Sequence, residues 1–333
     1  MLSPTDTCHL TAMTSHPHAA TPTVSIILPT RNAARTLPAT LRSVQAQTLT
    51  DWELIVIDDS STDASADIVR AAAKRDTRIR LLHSFGRGMA AARNLGLRLA
   101  RARLMAFLNA DDQWMAHKLA RHVEVLQRDP AVGVSFDRAC VVDALGQATV
   151  STAWPAGAEA TPSELLCEAP MASISTLVVR HSVFDAVGDF DEQMRFADDL
   201  ELVVRVRCLS TWRVQALDDV LTQHPLNPSL SRADLEAMFR GWQTLMAKVS
   251  IYAPDLVERH HERAQALQLQ RLAQRAACLK LPLTQGLSLL GRALRSHPRT
   301  WLRQPLRALG TLAALARSAW HNQRYAFMPK APF

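Results

Sequence analysis

Short apolar runs that stop abruptly at polar residues recur along the first third of the chain. Val24–Leu28 stops at Pro29, Leu54–Ile57 stops at Asp58-Asp59, and Leu104–Leu108 stops at Asn109-Ala-Asp111-Asp112. Runs of this length bounded by polar residues predict buried strands, and Arg78–His83 predicts another. Between them apolar residues fall at helical spacing: Leu37, Leu41 and Val44, then Ile68 and Val69, an Ala-rich stretch from 89 to 100, and Leu119, Val123 and Leu126. Thr36 is placed to cap the first helix, with Pro38 in its first turn, and Ser61 or Thr62 to cap the second. Strands alternating with helices predict an α/β fold, a mainly parallel sheet flanked by helices. Short β segments follow over 132–150, turning at Asp143–Gly146. Further strands are expected at Ser175–Val179 and Trp212–Leu217, with a helix starting near Phe196. Beyond Ser231 the pattern is wholly helical.

The strand ends carry the candidate chemistry. In a parallel sheet all carboxyl ends lie along one edge, where open α/β folds bind ligands. Thr30, Asp59 and Asp111 end strands, and Arg93 lies on an intervening helix, so all four are expected to face one crevice. Adjacent carboxylates repel, so Asp111-Asp112 suits a hard cation such as Mg²⁺ or Mn²⁺ that fills its shell with phosphate oxygens. Asp198 and Asp199 stand in the first turn of a helix, where acids also stabilise the helix dipole by about 0.3–1 kcal/mol each.

Composition narrows the class. Hydrophobic content of 48% with 21% charged residues in 333 positions fits a globular protein with a large core. The five cysteines show no metal or disulfide spacing, which predicts a reducing compartment. No apolar run reaches the roughly 18 residues a membrane span needs. Residues 1–22 lack a signal-peptide core and read as a disordered tail. The net charge of +7 is uneven: from Arg263 to Phe333 there is no acid at all.

The order of motifs resembles the family 2 glycosyltransferases of GT-A fold, the bacterial polysaccharide type. The matching segments are Val24–Asn32, Gln45–Thr48, Glu53–Asp63, Ala92–Gly96, Phe107–Asp112 and Ala197–Leu202. They place a GT-A domain at 23–231 and leave 232–333 as a basic helical extension. The resemblance implies transfer of a sugar, with inversion, from a nucleotide-diphosphate donor to the hydroxyl of a glycan or lipid-linked acceptor in cell-surface polysaccharide synthesis. It assigns Thr30 and Asp59 to the nucleoside, in a manner consistent with uridine, and Arg93 to the neighbourhood of the diphosphate. Asp111 becomes the ligand of Mn²⁺ or Mg²⁺, with Asp112 as a possible second, and Asp199 the general base. Asn109 replaces the first acid of the Asp-X-Asp motif and can still bond a ribose hydroxyl, but brings no charge. The Gln-x-x-Arg-Trp motif of processive synthases is absent, which predicts one or few sugars per encounter. Donor and acceptor choice is expected from the loops around 137–175 and 218–231.

Two other readings share this sheet. A nucleotidyltransferase would need a glycine-rich phosphate loop after the first strand, and Pro29–Ala34 has no glycine. A non-catalytic scaffold would be distinguished by its failure to hydrolyse donor. In the last 70 residues Leu, Ala and Trp recur at helical spacing among Arg292, Arg295, Arg299, Arg303 and Arg307, with Pro298 and Pro305 breaking the run. Basic amphipathic helices of this kind predict attachment to an anionic membrane surface. A cytoplasmic, peripheral location on the inner membrane follows. Sparse aromatics argue against nucleic acid.

Overall fold

The computed structural model describes residues 21–142, 148–151, 159–171, 173–225 and 231–326. Most of the expected N-terminal tail, the Asp143–Gly146 turn and part of both specificity loops lie outside these residues. The chain runs β1 (Val24–Thr30), α1 (Leu37–Gln45), β2 (Trp52–Asp59), α2 (Ser65–Ala73), β3 (Ile79–Ser84), α3 (Met89–Leu99), β4 (Leu104–Phe107), β5 (Gln113–Trp114) and α4 (Lys118–Arg128). It continues through β6 (Val132–Val142), β7 (Ala148–Ser151), α5 (Pro162–Glu168), a 3-10 turn (Ile174–Thr176), β8 (Leu177–Arg180), α6 (His181–Val187), α7 (Asp198–Leu209) and β9 (Arg213–Pro225). The helices α8 (Arg232–Tyr252), α9 (Pro254–Cys278), α10 (Leu283–Ser296), α11 (Pro298–Arg303) and α12 (Pro305–Ala326) complete it.

Among the described residues nine strands form one sheet in the order β3-β2-β1-β4-β8-β6-β9-β5, with β7 on β6. The β3-β2-β1-β4 half is parallel, as the alternating pattern predicts. The later half is mixed, because β8 enters antiparallel between β4 and β6 while β9 runs parallel to β6. Side chains alternate between faces along each strand. Val24, Ile26, Leu28, Leu54 and Val56 therefore pack under α1, α2 and α4. Ile27, Ile55, Ile57, Met105 and Phe107 join a core that continues unbroken into α8 and α9, through Phe239, Trp242 and Leu267.

Two expected caps are replaced. Thr36 precedes α1, but its hydroxyl donates to the carbonyl of Ala110 at 2.8 Å instead of accepting from the helix. It thereby ties α1 to the loop after β4. Ala64 occupies the cap position of α2, and Asp63 accepts the Ser65 N–H at 2.9 Å in place of Ser61 or Thr62. The Ser61 hydroxyl and the Thr62 N–H are instead bonded to Asn32, which knits the loops after β1 and β2 together.

The C-terminal helices are all present, broken at Pro298 and Pro305 as expected. They are fastened to α5 at one point. Glu168 accepts Arg263 of α9 at 3.0 Å on one oxygen and Arg307 of α12 at 2.9 Å on the other. Arg271 donates to the carbonyls of Cys167 and Glu168 beside it.

Candidate active site

A cavity of about 390 Å³ opens at the carboxyl edge of the parallel strands, lined among others by Pro29, Arg31, Arg35, Met89, Asn109 and Asp111. Left-handed backbone clusters around it. Asn32 (φ 51°) and Ser60 (φ 62°) turn the loops after β1 and β2, and Ala197 (φ 60°) precedes α7. Non-glycine residues in this region carry strain of about 1–3 kcal/mol each, and such strain gathers at functional sites.

Asp111 lines the cavity half-buried, and among the described residues no other residue donates a hydrogen bond to its carboxylate. Burial, with the Asp112 charge adding to it, raises its carboxyl above the ordinary range. Asp112 is different. It is fully buried, accepts the hydroxyls of Ser175 at 2.5 Å and Ser173 at 2.9 Å, and meets His224 Nδ1 at 2.6 Å. Burial opposes its charge, but the His224, Ser175 and Ser173 bonds outweigh it and hold the carboxyl low. The same pairing raises His224 against its own burial. With both oxygens engaged by His224, Ser173 and Ser175, Asp112 holds the loop in place beside Asp111.

Asn109 belongs to the same frame. Its amide donates to Asp112 at 3.1 Å and Ser173 at 3.0 Å, and its backbone N–H to Ser175 Oγ at 2.9 Å. Its side-chain oxygen receives Arg93 at 3.4 Å. Arg93 is buried, pairs with Asp198, and lies 5.7 Å over the Phe190 ring. The guanidinium expected beside the diphosphate thus joins the end of β4 to the start of α7. Arg31 and Arg35, to which the sequence reading gave no role, are the cations that line the cavity.

Thr30 and Asp59 do not come together. Thr30 pairs in register with Asp58 and is buried on the α1/α2 side, its hydroxyl without a partner. Asp59 points to the α3 side, where it accepts Ser84 Oγ at 2.5 Å and the Gly88 N–H at 3.0 Å. Gly88 holds φ 98°, open to glycine, and so delivers Met89 to the cavity wall. Pro29, not Thr30, is the β1 residue on the cavity.

Asp199, half-buried beside the Arg93–Asp198 pair, accepts the Leu200 N–H at 2.8 Å. Burial and then the Asp198 charge push its carboxyl up to about 6, with Arg93 opposing. Asp198 is spent on an ion pair; Asp199 keeps a carboxylate poised to take a proton near neutrality.

Residues 25–188 match the model described as glycosyl transferase family 2. This part of the chain is similar to that family. The UDP-Glc:alpha-D-GlcNAc-diphosphoundecaprenol beta-1,3-glucosyltransferase WfgD of Escherichia coli is 40% identical over 107 residues, 32% of this chain and 42% of that protein. The chain thus matches less than half the length of this curated relative. Among solved structures, S. aureus TarS 1–349 in complex with UDP-GlcNAc superposes with a TM-score of 0.59 at 16% identity, over 85% of this chain and 92% of that one. The mannosyltransferase PcManGT of Pyrobaculum calidifontis, in complex with GDP-Man and Mn²⁺, gives 0.59 at 22% identity over 91% and 88%. These likenesses show a GT-A fold with a C-terminal helical region.

The sheet also rests on a group that no motif announced. Lys118 is wholly buried and ion-paired to Asp137, with Thr222 Oγ1 at 3.3 Å and the Thr176 carbonyl at 3.4 Å. His122 lies against the same carboxylate, its imidazole lowered to about 4 by burial and the Lys118 charge, and so neutral. Thr222 reaches on to the Ser175 carbonyl, which also receives the Trp114 indole N–H at 2.9 Å. The Asp112 frame therefore stands on a buried charged network under β6, β9 and α4. Among the described residues no group of three or more His, Cys, Asp or Glu side chains could hold a metal ion. A cation would be held by Asp111 together with oxygens of a bound diphosphate and water, the open pattern that suits Mg²⁺ or Mn²⁺.

Proposed function

We propose that this chain is an inverting glycosyltransferase that carries a sugar from a nucleotide-diphosphate donor, uridine-linked, to a hydroxyl of a glycan or lipid-linked acceptor in cell-surface polysaccharide synthesis. The observation that carries the reading is the division of labour between the paired acids: Asp198 neutralised by Arg93, Asp199 left to accept a proton. The donor lies in the crevice over Pro29 and Met89, with Asp59 at its nucleoside end and Arg31 and Arg35 beside the diphosphate. A divalent cation held through Asp111 supplies positive charge where the leaving diphosphate gains negative charge. Arg93 fixes the distance between the donor edge and α7 by bonding Asn109 and Asp198 together. Asp199 takes the proton of the acceptor hydroxyl as that oxygen attacks the anomeric carbon from the side opposite the departing diphosphate. The UDP and UDP-GlcNAc bound to TarS, and the lipid-diphosphate acceptor in the WfgD name, favour these choices.

Asp111→Asn tests the donor half. The substitution should remove most metal-dependent turnover and lower the metal's contribution to donor affinity, measured by titration with and without Mn²⁺. The melting temperature should not fall, since Asp111 supports no other residue. Wild-type turnover that survives exhaustive chelation overturns the cation assignment.

We further take residues 23–231 as the catalytic domain and 232–333 as the attachment region. No described helix is long and apolar enough to cross a membrane. Leu302, Leu306 and Leu309 of α11 and α12 stand 81%, 84% and 60% exposed, an apolar edge that no described element covers. Together with exposed Arg295 and Arg299 this edge suits peripheral attachment to the anionic cytoplasmic leaflet. Arg307, which pairs with Glu168, is not available to it; the Arg303 side chain lies outside the described residues. Flotation should require anionic vesicles, weaken with salt, and fail for Leu302→Glu/Leu306→Glu; equal binding to neutral vesicles rules the idea out.

A further inference from the structure

Outside the donor crevice, a cavity walled by arginines lies between α8 and α10. It measures about 440 Å³ and is lined by Arg232, Arg240 and Arg292 with Glu236 as the one acid. Three arginines against one glutamate leave an excess of two positive charges around this open cavity. The Arg292 guanidinium is held 4.7 Å over the Phe239 ring, so it is pre-oriented. Arg232 bonds Glu236 at 2.8 Å, which leaves Arg240 and Arg292 to face the cavity. Gln285, also in the wall, has its side-chain oxygen buried with no hydrogen-bond partner. A buried orphan acceptor costs about 1–3 kcal/mol unless a donor arrives.

A neighbouring cavity points towards the start of α7. It measures about 320 Å³ and is lined by Arg195, Phe196, Arg240 and Gly241. Arg240 lines both, and Phe196 stands two residues before Asp198. Gly241 allows this approach, since a Cβ there would lie 2.5 Å from the Phe196 Cβ. On the other flank of α10, Leu283 and Leu287 are exposed, each one residue before the cavity-lining Thr284 and Ser288.

We propose that the α8/α10 cavity binds a phosphate or diphosphate ester, the anionic link of the acceptor. This rests on the acceptor reading above. Arg240 and Arg292 grip the phosphate oxygens through paired N–H donors, as planar guanidinium groups do. Gln285 accepts a hydroxyl from the sugar next to the phosphate. The glycan then extends past Phe196 towards Asp199, and an attached lipid leaves over Leu283 and Leu287. The volume of about 440 Å³ suits one phosphorylated sugar, so the cavity reads the root of the acceptor.

The test is calorimetry of the full chain with inorganic pyrophosphate, in the absence of metal. Wild type should bind saturably, Arg240→Gln/Arg292→Gln should bind at least tenfold more weakly, and Asp111→Asn should bind as wild type does. Both arginines are exposed, so the double variant should melt with the wild type. No binding by wild type, or equal binding by the arginine variant, overturns the proposal. Vesicles with and without a polyprenyl diphosphate identify the source. Displacement by pyrophosphate from the first alone marks a lipid-borne ester, and displacement from neither marks a free phosphate compound. Absence of sugar transfer in wild type would remove the transferase reading without touching this binding result.

Discussion

Replacing Asp199 by Asn should reduce sugar transfer by roughly 10²-fold or more, the usual worth of a positioned general base. Donor affinity should stay within a few-fold, because Asp199 accepts from the Leu200 N–H and does not line the donor cavity. The pH profile separates this role from a structural one. A carboxyl held at about 6 must be ionised to accept a proton. Wild-type turnover should therefore fall about tenfold per unit as pH drops below 6 and level off above it. The residual activity of Asp199→Asn should show no such bend. Asp198→Asn should instead damage donor and acceptor geometry together, by freeing Arg93 from α7. Near-normal transfer by Asp199→Asn, or a wild-type profile flat through pH 6, would reassign the base.

The largest effect on stability should come from Lys118→Met. Removing one member of a buried ion pair strands the other, typically at a cost of about 3–5 kcal/mol. Asp137 would remain wholly buried with Thr222 and a neutral His122 as its partners. The melting temperature should fall by roughly 6 °C or more. The double variant Lys118→Met/Asp137→Leu should recover most of the loss, since a packed apolar pair can replace a buried charged one. If both variants melt alike and far below wild type, packing of the lysine stem, not charge, is the cause.

The parallel half of the sheet was legible because each strand is a short apolar run with an abrupt polar end, and burial on both faces writes that pattern directly. The acids at α7 were legible for a similar reason: two carboxylates in a first helical turn stand out. What alternation hides is facing. Thr30 and Asp59 both end strands, yet one-residue steps send them to opposite faces of the sheet, and only the register of β1 on β2 shows it. Asp111 and Asp112 are indistinguishable as neighbours. Their roles part because His224, more than a hundred positions later, arrives on β9 to hold one of them. Lys118 reads as an ordinary helix-start lysine, and its partner Asp137 as a polar strand residue; nothing local marks two charges destined for the interior. The partner of Arg93 could not be read, because α7 comes to it from a hundred residues downstream.

Glu168 gives the attachment of the C-terminal helices an unusual economy. Two arginines from helices far apart in sequence, one on α9 and one on α12, end on its two oxygens. In a stretch that contains no acid of its own, no neighbouring carboxylate can stand in for it. A change of that one codon to glutamine would leave Arg263 and Arg307 facing each other without a counter-charge. The seam would then open under like-charge repulsion while the sheet stayed whole. Natural variation should accordingly tolerate many substitutions along the basic helices and few at the single acid that receives them.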